Sequence, residues 1–192
     1  MMPPPFQMNT IKLSPAQEML FRSYVNRDQI VPKFPNYLVI ESTNLCNLQC
    51  AMCPRPDMTR PQGFINFNLF KKIIDESEGS VEFIYLHFFG EPLLHPKIID
   101  LINYASGKGM TIALSTNAII LNERNSCDLL TSKLDLMIIS IDSLNPETYG
   151  KIRKGGNLET VLKNIDTFLE LHQTMKSTLN ISLQMIEMSL NK

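Results

Sequence analysis

Apolar residues along this chain fall into short runs separated by segments with helical spacing, and the two kinds alternate. Tyr37 to Ser42, Val81 to Phe88, Thr111 to Ser115, Leu134 to Ile141 and Ile181 to Met188 read as five strands. The fourth is a nearly continuous apolar run, which suits a strand buried on both faces of a parallel sheet. Between the strands the apolar positions move to helical periods. Leu69, Phe70, Ile73 and Ile74 mark one helix. Ile98, Ile99 and Ile102 mark a second, opened by Pro96 and stopped by Gly107 and Gly109. A third is expected near residues 122 to 132. Asn145-Pro146-Glu147 starts a short helix, and Asn157 caps a longer one carrying Val161, Leu162, Ile165 and Leu169. Repeated strand–helix units predict an α/β fold with a parallel sheet and right-handed crossovers.

Residues 1 to 36 read as an N-terminal extension, with 37 to 192 as the core. Within the extension, Ser14-Pro15-Ala16-Gln17 supplies an N-cap, a proline at the first helical position and a capping-box glutamine. Met19, Leu20, Phe21 and Tyr24 give that helix an apolar face, and Pro32 and Pro35 break the chain before the first strand. The length of 192 residues suffices for one domain with a sizeable core. A formal net charge of −1 suggests no nucleic-acid partner. No apolar run is long enough to span a membrane, and Met1 to Met8 lacks the pattern of a secretory signal. A cytoplasmic protein is the expectation, and a reducing compartment disfavours structural disulfides.

That expectation changes the meaning of the cysteines. Cys46, Cys50 and Cys53 follow the first strand with the spacing C-x3-C-x2-C. Three thiolates on one loop suit three irons of a four-iron, four-sulfur cluster, which normally takes four cysteines. A missing fourth ligand leaves one iron open for small-molecule chemistry. Cys127 would close the site if it folded back onto the loop; otherwise it is a free helical cysteine, the reading preferred here.

The stretch Glu41-Ser42-Thr43-Asn44-Leu45-Cys46-Asn47-Leu48-Gln49-Cys50-Ala51-Met52-Cys53-Pro54-Arg55 closely resembles the cluster loop of the radical S-adenosylmethionine (radical SAM) enzymes. The resemblance implies a partial (β/α) barrel of about five parallel strands. It also implies a 4Fe-4S cluster on Cys46, Cys50 and Cys53, with S-adenosylmethionine on the open iron and Met52 near its adenine. An electron donor such as flavodoxin or ferredoxin would reduce the cluster. The implied reaction cleaves the sulfonium to methionine and a 5′-deoxyadenosyl radical, which abstracts hydrogen from an unidentified peptide or small-metabolite substrate.

Other motifs sit where strands end. Phe89-Gly90-Glu91-Pro92 looks like the family's Gly-Gly-Glu-Pro segment, with Phe89 in place of the first glycine. In the family that segment contacts the amino group of S-adenosylmethionine, so Gly90 and Glu91 become candidates; a solvated turn is the plain alternative. Ser140 and Asp142 close the fourth strand, where similar enzymes contact the ribose or the methionine carboxylate. Asn117 is either an active-site amide or a turn residue. Arg153 is either paired with a carboxylate or on the surface. The segment from Ser140 to Gly156 resembles members carrying a C-terminal SPASM or twitch domain. His87 reads as a packed core or substrate-wall residue, His95 as part of a capping turn, and His172 as solvated. The chain ends where a sixth strand would follow, so the core is expected to be incomplete at its C-terminus and poorly active alone. A cluster-binding fragment without turnover and a structural zinc module remain the alternatives.

Overall fold

The computed structural model describes residues 13–31 and 35–192. Five strands form one parallel sheet: β1 (Tyr37–Val39), β2 (Phe83–Tyr85), β3 (Thr111–Thr116), β4 (Leu136–Ser140) and β5 (Asn180–Gln184). Their spatial order is the chain order, β1-β2-β3-β4-β5, so every strand pairs with its successor and β1 and β5 are the edges. Helix α1 (Pro15–Asn26) precedes the sheet; α2 (Phe67–Ser77), α3 (Ile98–Gly107) and α4 (Glu123–Thr131) fill the first three crossovers. The fourth holds α5 (Pro146–Ile152) and α6 (Leu158–Thr174). An open sheet in sequential order with helical crossovers is a partial (β/α) barrel.

The caps expected at Ser14, Asn145 and Asn157 form, and the structure adds two more at Asn66 and Asn122. Ser14 and Gln17 make the capping box of α1, Asn66 caps α2, Asn122 caps α4, Asn145 caps α5 and Asn157 caps α6. The proposed break at Pro32 and the reading of Met1 to Met8 lie outside the described residues.

The pattern of burial corrects one expectation. β4 is not buried on both faces: its residues alternate between half-buried and buried. Ile84, Ile112, Leu114, Met137 and Ile139 face the helices, where they pack with Phe70, Ile74, Leu101, Ile102, Val161 and Phe168. The opposite face carries Tyr37, Val39, Tyr85, Ser115, Ile138 and Ser140, none of them fully buried. Helices cover only one side of the sheet, so the apolar run of β4 splits between core and open face.

Four strands are shorter than the apolar runs, among them β4, which spans Leu136–Ser140 rather than 134 to 141. β1 stops at Val39 rather than Ser42, β2 spans Phe83–Tyr85 rather than 81 to 88, and β5 ends at Gln184 rather than Met188. Single ladder bonds continue beyond them, from Ile40 N–H to Tyr85 O and from Leu86 N–H to Ala113 O. The chain then leaves the ladder to build loops on the carboxyl edge. Past β5 it turns inward: Ile186 N–H donates to Asp142 Oδ1 at 2.9 Å, and Asn191 Nδ2 donates to Asp142 O at 2.7 Å. Pro96 likewise precedes rather than opens its helix; α3 begins at Ile98, after a 3₁₀ turn over Pro92–Leu94. The apolar face expected on α1 is largely uncovered among the described residues, with Tyr24 81% exposed.

Candidate functional site

The carboxyl ends of the strands converge on one cavity of about 310 Å³. β1 delivers the cysteine loop, β2 His87 and Phe89-Gly90-Glu91, β3 Ser115-Thr116-Asn117, β4 Ser140, and the segment after β5 Ile186. Cys46, Cys50 and Cys53 are free, partly buried thiols lining this cavity, with Met52 among them. Cys127 lies in α4 and does not line it.

Hydrogen bonds hold the cysteine loop from both sides. Gln49 N–H donates to Lys154 O at 2.9 Å and Ala51 N–H to Ile152 O at 2.8 Å, which fastens the loop to the end of α5. Arg55 Nη2 donates to Leu48 O at 2.7 Å. Gly90 packs directly on the other flank: a Cβ there would be driven into the Thr43 carbonyl. The glycine is therefore required by close backbone approach. Phe89 needs no such freedom; its N–H donates to Glu41 Oε1 at 3.2 Å, and its side chain stacks against Phe88.

Glu91 is 2% exposed, which overturns the solvated-turn reading. One carboxylate oxygen accepts from Thr116 Oγ1 at 2.7 Å and Leu93 N–H at 3.1 Å; the other accepts from Asn117 N–H at 2.8 Å. Burial pushes its pKa up, opposed by these donors. Its carboxylate is engaged inside the fold and pins the end of β3 to the end of β2. Asn117, held by that bond, donates through Nδ2 to Asn47 Oδ1 at 2.8 Å and reaches Cys46 Sγ at 3.8 Å.

Arg153 is not on the surface. Its Nε donates to Asp142 Oδ2 at 2.6 Å, and its Nη1 lies 3.6 Å from Cys50 Sγ. Asp142 is fully buried and spends its other oxygen on Ile186 N–H. Asp142 therefore positions Arg153 and the segment after β5, while Arg153 and Ser140 line the cavity.

This donor set fits an iron–sulfur cluster. Leu48 N–H and Asn117 Nδ2 point at Cys46 Sγ and Arg153 Nη1 at Cys50 Sγ, an arrangement suited to thiolate acceptors. Burial pushes both thiols up, with Leu48 N–H opposing at Cys46 and Arg153 at Cys50. Iron binding must displace those protons. Among the described residues no three His, Cys, Asp or Glu side chains converge on one point, as a single metal ion would require. A cluster places its thiolates on separate irons and needs no such convergence.

Several contributors lay within segments that the sequence singled out, the cluster-loop stretch for Asn47 and Arg55 and the end of the third strand for Ser115 and Thr116, but their individual contacts did not show in it. Asn47, Arg55, Ser115, Thr116 and Ile186 enter the site only through the fold. His87 does line the cavity wall, whereas His95 turns inward to accept from Lys97 N–H at 3.0 Å, and His172 bonds Leu179 O rather than standing solvated.

A parallel α/β partial barrel with a three-cysteine loop at its carboxyl edge defines a class of cluster-binding folds. Residues 40–183 match the model of the Radical SAM superfamily, and the chain belongs to that superfamily. Members of it work with a 4Fe-4S cluster and S-adenosylmethionine. The chain is 32% identical over 133 residues to the tungsten-containing aldehyde ferredoxin oxidoreductase cofactor-modifying protein of Pyrococcus furiosus, covering 66% of this chain and 37% of that protein. It is 32% identical over 142 residues to the GTP 3′,8-cyclase of Desulforamulus reducens, covering 71% of this chain and 43% of the relative. It thus spans less than half the length of these relatives. The structure is similar to that of Streptococcus suis SuiB bound to S-adenosylmethionine, with TM-score 0.67 and 19% identity over 87% of this chain and 38% of that one. BtrN in complex with AdoMet and 2-DOIA superposes with TM-score 0.61 and 18% identity, covering 79% and 58%. At such identities the likeness is one of fold. No helix among the described residues is long and apolar enough to cross a membrane.

Proposed function

We propose that this chain binds a 4Fe-4S cluster through Cys46, Cys50 and Cys53 and cleaves S-adenosylmethionine reductively. The observation that carries this reading is the joint placement of three free thiols and the donors Arg153 and Asn117 on one cavity at the carboxyl edge of the sheet. When bound and reduced by a donor such as flavodoxin or ferredoxin, the cluster supplies the electron that splits the sulfonium into methionine and a 5′-deoxyadenosyl radical. The protein's part is positional. The Gly90 backbone packs against the loop, Glu91 fixes Asn117, and Asp142 fixes Arg153 beside Cys50. Arg153 also offers a guanidinium to the carboxylate of the cofactor, and Ser140 a hydroxyl to its ribose. Met52 lies on the same loop, beside the expected adenine position.

Substrate class follows the relatives more loosely. The neighbour SuiB was solved with the precursor peptide SuiA, and other relatives are GTP 3′,8-cyclases. A peptide or small metabolite as hydrogen donor suits a cavity open above the sheet. The segment from Ser140 to Gly156 supports a SPASM/twitch-like member. The test is anaerobic: reconstitute with iron and sulfide, reduce with dithionite, add S-adenosylmethionine and quantify 5′-deoxyadenosine. Formation of 5′-deoxyadenosine that depends on Cys50 supports the proposal. None from a sample with a full cluster would leave a binding fragment without turnover.

A further inference from the structure

His87 lies just beyond β2, on the open face of the sheet. Its ring stands edge-on to Tyr85, with centroids 5.6 Å apart and planes at 86°. Nδ1 accepts the Ser115 backbone N–H at 3.0 Å. That bond needs a lone pair on Nδ1, so the neutral ring carries its proton on Nε2. Nε2 has no hydrogen-bond partner among the described residues, and it is not sealed in the core either: the buried orphan atoms are Ser126 Oγ and Tyr149 Oη. It therefore opens to the cavity, which His87 lines together with Ser115 and Ser140. The hydroxyls of those two serines are 3.1 Å apart, so the ends of β2, β3 and β4 present a row of polar groups.

A histidine serving only the core would have both nitrogens paired or shielded. This one has its orientation locked by the backbone of the next strand and its donor left facing the cavity. Burial also lowers its pKa, which keeps the ring neutral and the tautomer defined at neutral pH.

We propose that His87 is a positioning residue whose Nε2–H donates to an oxygen of the S-adenosylmethionine bound in this cavity. The inference rests on the cofactor reading given above. A cavity of about 310 Å³ is at the small end for a ligand site, so it takes one such molecule. A molecule reaching from the cysteine loop towards Gln184 and Ile186 crosses the wall formed by His87, Ser115 and Ser140.

The experiment compares cluster-loaded wild type, His87→Asn and His87→Gln by anaerobic calorimetric titration with S-adenosylmethionine. Asn can still accept the Ser115 N–H but has no group at the Nε2 position; Gln restores a donor there. The Asn variant is expected to bind about three- to tenfold more weakly with unchanged iron content, and the Gln variant to recover most of the loss. Equal affinity of wild type and the Asn variant overturns the proposal. Absence of binding by cluster-loaded wild type sinks the cofactor reading instead. A second measurement needs no variant: ¹⁵N spectra of the wild-type imidazole should show Nε2 protonated and Nδ1 bare at pH 7.5. A proton on Nδ1 would overturn the geometry on which the donor depends.

Discussion

Replacing Arg153 by Met tests the connection between the fold and the cysteine loop. Arg153 is 8% exposed and Asp142 is fully buried, with 2.6 Å between Nε and Oδ2. Methionine fills much of the same volume but leaves the Asp142 carboxylate with Ile186 N–H and no counter-charge. Removing one partner of a buried ion pair costs about 3–5 kcal/mol, because the remaining charge stays desolvated. Against a total stability of roughly 5–15 kcal/mol for a domain, that is a large fraction. In a chain of this size each kcal/mol moves the melting temperature by about 2–4 °C, so the variant should melt roughly 6–20 °C lower. Urea unfolding of the metal-free protein, followed by circular dichroism under reducing conditions, reads the loss directly. Adding Asp142→Asn removes the stranded charge and should recover part of it. A single variant within about 0.5 kcal/mol of wild type, or a double variant no better than the single, would refute the buried-pair reasoning.

Ala at Cys46, Cys50 or Cys53 should abolish iron uptake, whereas Cys127→Ala, changing a thiol on α4 outside the cavity, should retain it; iron analysis after anaerobic reconstitution decides. Gly90→Ala drives a methyl into the Thr43 carbonyl, so the backbone must shift, at a cost of about 1–3 kcal/mol in urea unfolding; unchanged stability and iron content would contradict the close approach. Acidification should destabilise the metal-free protein through its histidines. His87 and His95 both have pKa values lowered by burial, so the folded state holds fewer protons than the unfolded one, and their stabilisation, complete above about pH 6.5, falls as pH drops from there through the lowered folded values. Glu91, raised by burial, acts in the opposite sense, so the clean comparison is wild type with His87→Gln, whose smaller loss between pH 7.5 and 5.5 checks the assignment.

The alternation of strand and helix, the caps at Ser14, Asn145 and Asn157 and the parallel order were legible because each rests on local periodicity or a local hydrogen bond. The three cysteines were legible because they share one short loop. Strand ends were not, because the runs reaching Ser42, Phe88 and Met188 keep a largely apolar pattern while their backbone leaves the ladder for the site. One-sided burial of β4 was hidden for a related reason: Ile138 on the open face is as apolar as Ile139 beneath it. The internal partners of Glu91 and Asp142 were also hidden: Asn117, Thr116 and Leu93 donate to the first carboxylate, Arg153 and Ile186 to the second, and Glu91 lines the cavity as well. Those partners lie far away in sequence, and only the assembled sheet brings them together.

Mössbauer spectroscopy of protein reconstituted with ⁵⁷Fe tests the central claim most directly. The account predicts about four irons per chain in one cubane, with three sites unaffected and one site shifted when S-adenosylmethionine is added. Four sites that stay equivalent on addition, or a chain that takes up zinc tightly and no iron, would contradict it.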